Sequence, residues 1–172
     1  VVASLHGGAG STFLIHNFTR YLSSQNIITG ILEASNKSSI WLEIVRREIG
    51  LANDFESWCK QILRTGSITQ AARLELKNTH LLPFDPHDQM DQLSSEHIQA
   101  IIQAGRQLPY LFIDLSSDWD NPIANEAIKN CDEFWVVTRP DPNQLYAQQK
   151  HKRTFLNKAI QYIGGENCIF IG

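Results

Sequence analysis

The sequence predicts a three-layer α/β domain built on a twisted, mostly parallel sheet, and three observations predict it. Short apolar runs rich in β-branched and aromatic residues alternate with segments of helical periodicity, the rhythm of strand-crossover-strand units. A glycine-rich turn, His6-Gly7-Gly8-Ala9-Gly10, separates the first run from the first helical segment. At 172 residues, with 42% hydrophobic and 19% charged residues, the chain fits one domain, 1–172, around one well-buried core.

Each element has its own signal. VVASL at 1–5 reads as the first strand, and Leu14, Phe18, Tyr21 and Leu22 recur at helical spacing over 12–24. IITGIL at 27–32 is the second strand. The stretch 38–78 is long for one crossover and should hold two or three helices: Trp41, Ile44 and Val45 mark one apolar face, Trp58 and Ile62 another, and Thr69 to Leu76 a short third. THLLPF at 79–84 is a strand; helix 94–107 follows, with Ser94 or Ser95 as N-cap and Ile98, Ile101 and Ile102 on its apolar face. YLFIDL at 110–115, a helix at 122–130, EFWVVT at 133–138, a helix at 143–163 and CIFIG at 168–172 complete the alternation.

Composition removes several function classes. A net charge of −3 with no long Lys/Arg run gives no footprint for strong nucleic-acid binding. No apolar run reaches the ~18 residues that cross a bilayer, and the opening residues lack the charged-then-apolar order of a signal peptide. Cys59, Cys131 and Cys168 are odd in number and far apart, so they form no disulfide framework or Cys-x-x-Cys motif, and a reducing cytoplasm suits them. The chain starts on an apolar Val-Val run and stops on another, so it is expected to be a piece of a longer one.

Other clusters read more plainly. Asp85, His87, Asp88 and Asp91 have metal-like types but no recognised ligand spacing, and read as a solvated turn. Trp41, Trp58 and Trp135 lie in apolar patterns and read as core, whereas Trp119, in the polar stretch SDWDNP, is a candidate for contact with a partner. Lys150, Lys152 and Arg153 read as a solvated helix face, with DNA or anionic lipid as the weaker option.

The glycine turn carries the chemistry. A strand, a glycine-rich turn and a helix bring backbone N–H groups and a positive helix end to one point, which attracts phosphate. The full phosphate-loop motif ends in Gly-Lys-[Ser/Thr], its lysine reaching the terminal phosphates and its hydroxyl binding Mg²⁺. Here Gly10 is followed by Ser11 and Thr12: the hydroxyl is kept and the lysine is not. A rival reading is an NAD(P)-dependent short-chain dehydrogenase, since Glu33 ends the second strand and Tyr146 and Lys150 make a Tyr-x-x-x-Lys. That fingerprint wants a third glycine where this chain has Phe13.

His6-Gly7-Gly8-Ala9-Gly10-Ser11-Thr12 resembles the deviant Walker A motif of the ParA/MinD family of P-loop ATPases, Lys-Gly-Gly-x-Gly-Lys-[Ser/Thr]. His6 falls at the family's signature lysine, Ser11 at its second lysine, and Asn17 at an asparagine of the following helix. YLFIDLSSDWDNP and CDEFWVVTRPDPNQL are similar to its Walker B strand, switch segment and next strand, so the resemblance spans nearly the whole chain. It implies a three-layer α/β/α P-loop NTPase-like fold, nucleotide bound along His6 to Thr12, Thr12 as a Mg²⁺ ligand and Asp114 behind it as the Walker B acid. Where the family has Asp-x-Asp after the first helix, this chain has Glu33-Ala34-Ser35, so one switch carboxylate is replaced by a hydroxyl.

The losses have magnitudes. A hydrogen bond to a charged group contributes about 1.5–3 kcal/mol, so losing the phosphate lysine weakens binding roughly tenfold to a hundredfold. A cation reaching across a dimer to the transferred phosphate supplies about 10³–10⁵ in rate. The resemblance therefore implies a degenerate member, similar to the pilus-assembly proteins CpaE and TadZ, holding ATP or ADP with Mg²⁺ weakly or not at all and hydrolysing little. It further implies a homodimer, protein partners of a localisation or assembly machinery, and a cytoplasmic place, peripheral to the membrane or cell pole. The alternative within the family is a competent ATPase.

Overall fold

The structure is a computed structural model describing residues 1–35, 39–50, 55–68, 74–139 and 149–172. In chain order it contains β1 (Val2–Ser4), α1 (Ser11–Ser24), β2 (Thr29–Glu33), α2 (Ile40–Ile49), α3 (Trp58–Thr65), β3 (Leu74–Leu76), β4 (Thr79–Leu82), α4 (Ser95–Gly105), β5 (Tyr110–Ser116), α5 (Pro122–Asn130), β6 (Phe134–Val137), α6 (Gln149–Ile163) and β7 (Cys168–Ile171). The strands form one sheet in the order β3-β4-β2-β5-β1-β6-β7, every pairing parallel except β3 with β4.

Successive residues of the central strands face opposite sides, as the pleat requires. Ile31, Phe112 and Val137 pack with Ile15 and Leu22 of α1 and Trp41 and Val45 of α2 on one face. Leu32, Ile113 and Val136 pack with Trp58 and Ile62 of α3, the isoleucines of α4, Ile123 and Ile128 of α5 and Phe155 of α6 on the other. Helices thus cover both faces, the three-layer α/β/α architecture expected of a P-loop NTPase-like fold. No helix among the described residues is long and apolar enough to cross a membrane.

Local chemistry explains the helix starts. The Ser94 side chain accepts from His97 N while His97 Nδ1 accepts from Ser94 N, a reciprocal cap that satisfies two helix-end donors of α4. Asn121 caps α5 by accepting from Ala124 N at 2.8 Å, with Pro122 at the first helical position, where no amide donor is needed.

Three expectations are corrected. The helical stripe over Thr69 to Leu76 is in part a strand: Leu74, Glu75 and Leu76 pair antiparallel with β4 through a turn at Lys77, whose φ is +55°. Leu74 and Leu76, two apart, have the strand's period and not the helix's, and they pair with an open sheet edge; residues 69–73 lie outside the described set. Trp119 is core: 5% exposed, it packs edge-on against Phe134 and Phe155 and its indole donates to Ser4 O at 2.8 Å. Lys152 leaves the solvated face, being 8% exposed, with its Nζ donating to Leu5 O and lying 5.3 Å from the Trp119 ring centroid. Arg153 is exposed, and nothing is described of the Lys150 side chain.

The acidic loop at 85–91 is a turn held by its own carboxylates. Asp88 accepts from Ser57 Oγ at 2.6 Å and Asp85 N at 3.0 Å, and Asp85 accepts from His87 N. Among the described residues no group of three or more His, Cys, Asp or Glu is placed to hold a metal ion.

Candidate functional site

The strand order creates the site. The crossover from β1 through α1 reaches β2 by passing over β5 on one face, while that from β5 through α5 reaches β6 by passing over β1 on the other. The crossovers diverge at the carboxyl ends of β1 and β5, the place where open α/β sheets bind ligands. β1 delivers the glycine loop there, and β5 delivers Asp114.

The loop's departure from the sheet is anchored on several sides. Leu5 N donates to Val137 O at 2.8 Å, Trp119 holds Ser4 O and Lys152 holds Leu5 O. Gly8 (φ +74°) and Gly10 (φ +107°) take conformations that L side chains rarely adopt, and a Cβ at either would meet nothing within 4 Å. The cradle is therefore open on its outer side. Within it, Ala9 N donates to His6 O at 3.2 Å, whereas the amides of Gly7, Gly8 and Gly10 have no partner among the described residues. The first turn of α1 itself contains no acidic residue. A cavity of about 540 Å³ opens there, between the glycines and Thr12 on one side and Ser116, Ser117 and Arg139 on the other, with Phe13 and Ile40 at its rim. A second cavity of about 540 Å³, walled by Phe112 and Trp135, lies at the opposite ends of β1 and β5, away from the loop.

Beneath the loop sits a dense polar cluster centred on Asp114, itself 1% exposed. Thr12 Oγ1 donates to its Oδ2 at 2.7 Å and Trp41 Nε1 to the same oxygen at 2.9 Å. Ser116 N donates to Oδ1 at 2.9 Å, and Ser11 Oγ lies 3.4 Å from that oxygen. Ser116 closes this turn with φ +48°, a strained conformation for a non-glycine residue that points its amide back at the carboxylate. The residues at the two lysine positions are both buried. Ser11, 2% exposed, is tied to Ser4 Oγ through its hydroxyl (2.8 Å) and its amide (3.3 Å). His6, 5% exposed, places Nδ1 3.2 Å from Gly7 O and accepts at Nε2 from Arg139 N at 3.3 Å, a pattern that the neutral ring satisfies.

The second strand's carboxylate is likewise buried. Glu33, 3% exposed, accepts at Oε2 from Phe84 N (2.8 Å) and at Oε1 from Trp41 N (3.2 Å). Burial pushes its carboxyl up to about 8, the Asp114 charge adding to the rise and the backbone amides of Phe84, Trp41 and Ile40 opposing it. Ser35 is 1% exposed, and the Asn17 side chain donates to Phe13 O, a bond within its own helix.

The structure thus brings Gly7, Gly8, Gly10, Ser11, Thr12 and Asp114 to one place, and Glu33, the register partner of Asp114 on β2, is buried beside it with both oxygens taken by backbone amides. Sequence reasoning missed Arg139, Ser116 and Trp41. Arg139 is the one Arg or Lys among the described lining residues. Its signal was a cation just past an apolar strand, and it becomes meaningful only once β6 is known to flank β1. The dehydrogenase reading is not favoured. Its fingerprint needs the second strand beside the first, as in the order 3-2-1-4-5-6, but β5 lies between β1 and β2 and both Glu33 oxygens are taken by backbone amides. Tyr146 lies outside the described residues.

Thr12 and Asp114 supply hard oxygens in contact beside an open amide cradle, a donor set that suits Mg²⁺ held jointly with phosphate oxygens.

No family model matches the sequence, and no curated protein matches it. Solved structures do. A ParA-family ATPase from Chlorobium tepidum is similar over 99% of this chain and 82% of its own, at 14% identity and a TM-score of 0.65. Cobyrinic acid a,c-diamide synthase from Mycobacterium smegmatis, with bound ATP analogue and magnesium, is similar over 98% and 71%, at 10% identity and a TM-score of 0.69. The MinC:MinD cell-division complex of Aquifex aeolicus is similar over 98% and 66%, at 17% identity and a TM-score of 0.64. At these identities the likeness establishes the fold.

Proposed function

We propose that this chain is a degenerate ParA/MinD-type domain, similar to CpaE and TadZ, that binds ATP or ADP weakly through a lysine-free phosphate loop, hydrolyses little or none, and acts as a spatial or assembly regulator. One observation carries the reading: the cradle of glycine amides and the Thr12–Asp114 pair are built, while the residues at both lysine positions, His6 and Ser11, are buried in hydrogen bonds to the protein and bring no ammonium to the cradle.

Each residue then has a role. The amides of Gly7, Gly8 and Gly10 and the start of α1 bind phosphate oxygens. Thr12, oriented by Asp114, would hold Mg²⁺, which when bound neutralises phosphate charge. Arg139, which lines the cavity, contributes a side-chain cation. Neither Glu33, sequestered by backbone amides, nor Ser35 is suited to orient an attacking water, which supports loss of turnover. The exposed rim residues Phe13 (73%) and Ile40 (43%) suit contact with a second copy or a protein partner of the assembly machinery. The site is cytoplasmic on this reading, with any membrane or polar location gained through partners.

The test is phosphate release by the full-length protein under conditions where ParA-type ATPases turn over. No release above background is expected, from wild type or from Thr12→Ala. Turnover that Thr12→Ala abolishes would establish the competent ATPase instead.

A further inference from the structure

The carboxylate of Asp114 has its acceptor sites filled. A carboxylate offers about four lone-pair positions; here Oδ2 receives Thr12 Oγ1 and Trp41 Nε1, and Oδ1 receives Ser116 N with Ser11 Oγ nearby. Most of these donors are compatible with a loaded loop. Thr12 Oγ1 has lone pairs to give a cation while its proton stays on Asp114, and Ser116 N belongs to the turn that ends β5. Trp41 differs. It comes from α2, its indole is a donor only, and it is 2% exposed, its ring edge-on to His16 at 6.0 Å. Its own amide is tied to Glu33, so the start of α2 is pinned to two buried carboxylates.

We propose that the Trp41 indole N–H holds the place on Asp114 that a water of a bound divalent cation would take, so that the cation and Trp41 compete for this carboxylate. Trp41 is then a positioning residue: it keeps Asp114 in its metal-free arrangement and links cation binding to the seating of α2. The inference rests on reading the loop as a nucleotide site and deepens it, since it makes nucleotide binding nearly independent of Mg²⁺. An indole bond to a charged acceptor corresponds to a factor of about ten to a hundred in the cation's affinity.

The experiment uses the full-length protein and two probes. Calorimetry with ATP, in EDTA and in Mg²⁺, is run on wild type and Trp41→Phe. The expected result is a Mg²⁺ gain of under about threefold in wild type and about tenfold or more in the variant, with equal affinities in EDTA; the same Mg²⁺ gain in both overturns the proposal. Mn²⁺ alone is then titrated into ¹⁵N-labelled protein. Loop amides from Gly8 to Thr12 should broaden in wild type only where the Trp41 indole signal also moves, and at about tenfold lower Mn²⁺ in Trp41→Phe. Broadening with the indole signal unmoved, or none at all, overturns the proposal, and this wild-type arm decides the matter even if the variant does not fold. Absence of ATP binding with the Mn²⁺ pattern intact would refute the nucleotide reading and leave the competition standing.

Discussion

Replacing Asp114 by Asn separates a carboxylate that organises its surroundings from one that merely waits for a ligand. Asp114 is 1% exposed and takes Thr12 Oγ1 and Trp41 Nε1 on one oxygen and Ser116 N on the other. Asn has one acceptor oxygen. If that oxygen faces Ser116, the amide NH₂ can donate to Thr12 but meets the Trp41 indole donor head-on; if it faces Thr12 and Trp41, the NH₂ meets the Ser116 amide. Either way one buried N–H is left without a partner, which costs about 1–3 kcal/mol. The remaining bonds lose their charge assistance, roughly half their strength, so the total is about 2–4 kcal/mol. Relief of repulsion with Glu33 returns part of this, but burial keeps Glu33 largely protonated near neutral pH, so the return is small. Urea unfolding at pH 7 should show this loss, with Thr12→Val, which removes one donor only, costing about 0.5–1.5 kcal/mol. An Asp114→Asn protein as stable as wild type, or more so, would refute the reasoning, since it would mean that the charge was strained rather than satisfied.

Other expectations follow from the same geometry. Glu33 keeps its proton in the folded state up to about pH 8 but loses it near 4.5 when unfolded, so the folded state binds more protons across that window and stability falls as pH rises through it. The ceiling on this fall is about 5 kcal/mol, and Glu33→Gln should flatten it: the variant is less stable than wild type near pH 6, where one backbone donor loses its acceptor, and the gap closes by pH 8.5. Parallel denaturant melts of the two proteins across pH 5 to 8.5 would refute this. Trp119→Ala should cost about 3–5 kcal/mol by denaturant unfolding, the price of emptying an aromatic site between Phe134 and Phe155; a loss below about 1 kcal/mol would return Trp119 to the surface.

The sequence carried the architecture well because the architecture is periodic. Alternating apolar runs locate six of the seven strands, and the stripe of Leu14, Phe18 and Leu22 locates α1. β3 escaped because its three residues, Leu-Glu-Leu, are too short a run for a period to be counted, and pairing with the open edge of β4 makes them a strand. The candidate site was legible as far as its pieces lie on one local motif or on a family resemblance: the glycine loop, Thr12 and Asp114. What stayed hidden depends on which strands become neighbours. Trp41 reads as a core residue by pattern, and it is one, but its single polar atom reaches Asp114, 73 positions away in sequence. Trp119 and Lys152 were misread for the converse reason: polar neighbours in sequence suggested solvent, while the fold turned them onto the base of the glycine loop.

The most direct test of the central claim, that a phosphate loop without its lysines still holds a nucleotide, is titration calorimetry of the full-length protein with ATP, alongside Ser11→Lys. The account predicts measurable but weak binding by wild type and binding about ten to a hundred times tighter by Ser11→Lys, whose ammonium would extend over the same amide cradle. Wild type giving no heat at millimolar ATP, or Ser11→Lys binding no tighter than wild type, would contradict it.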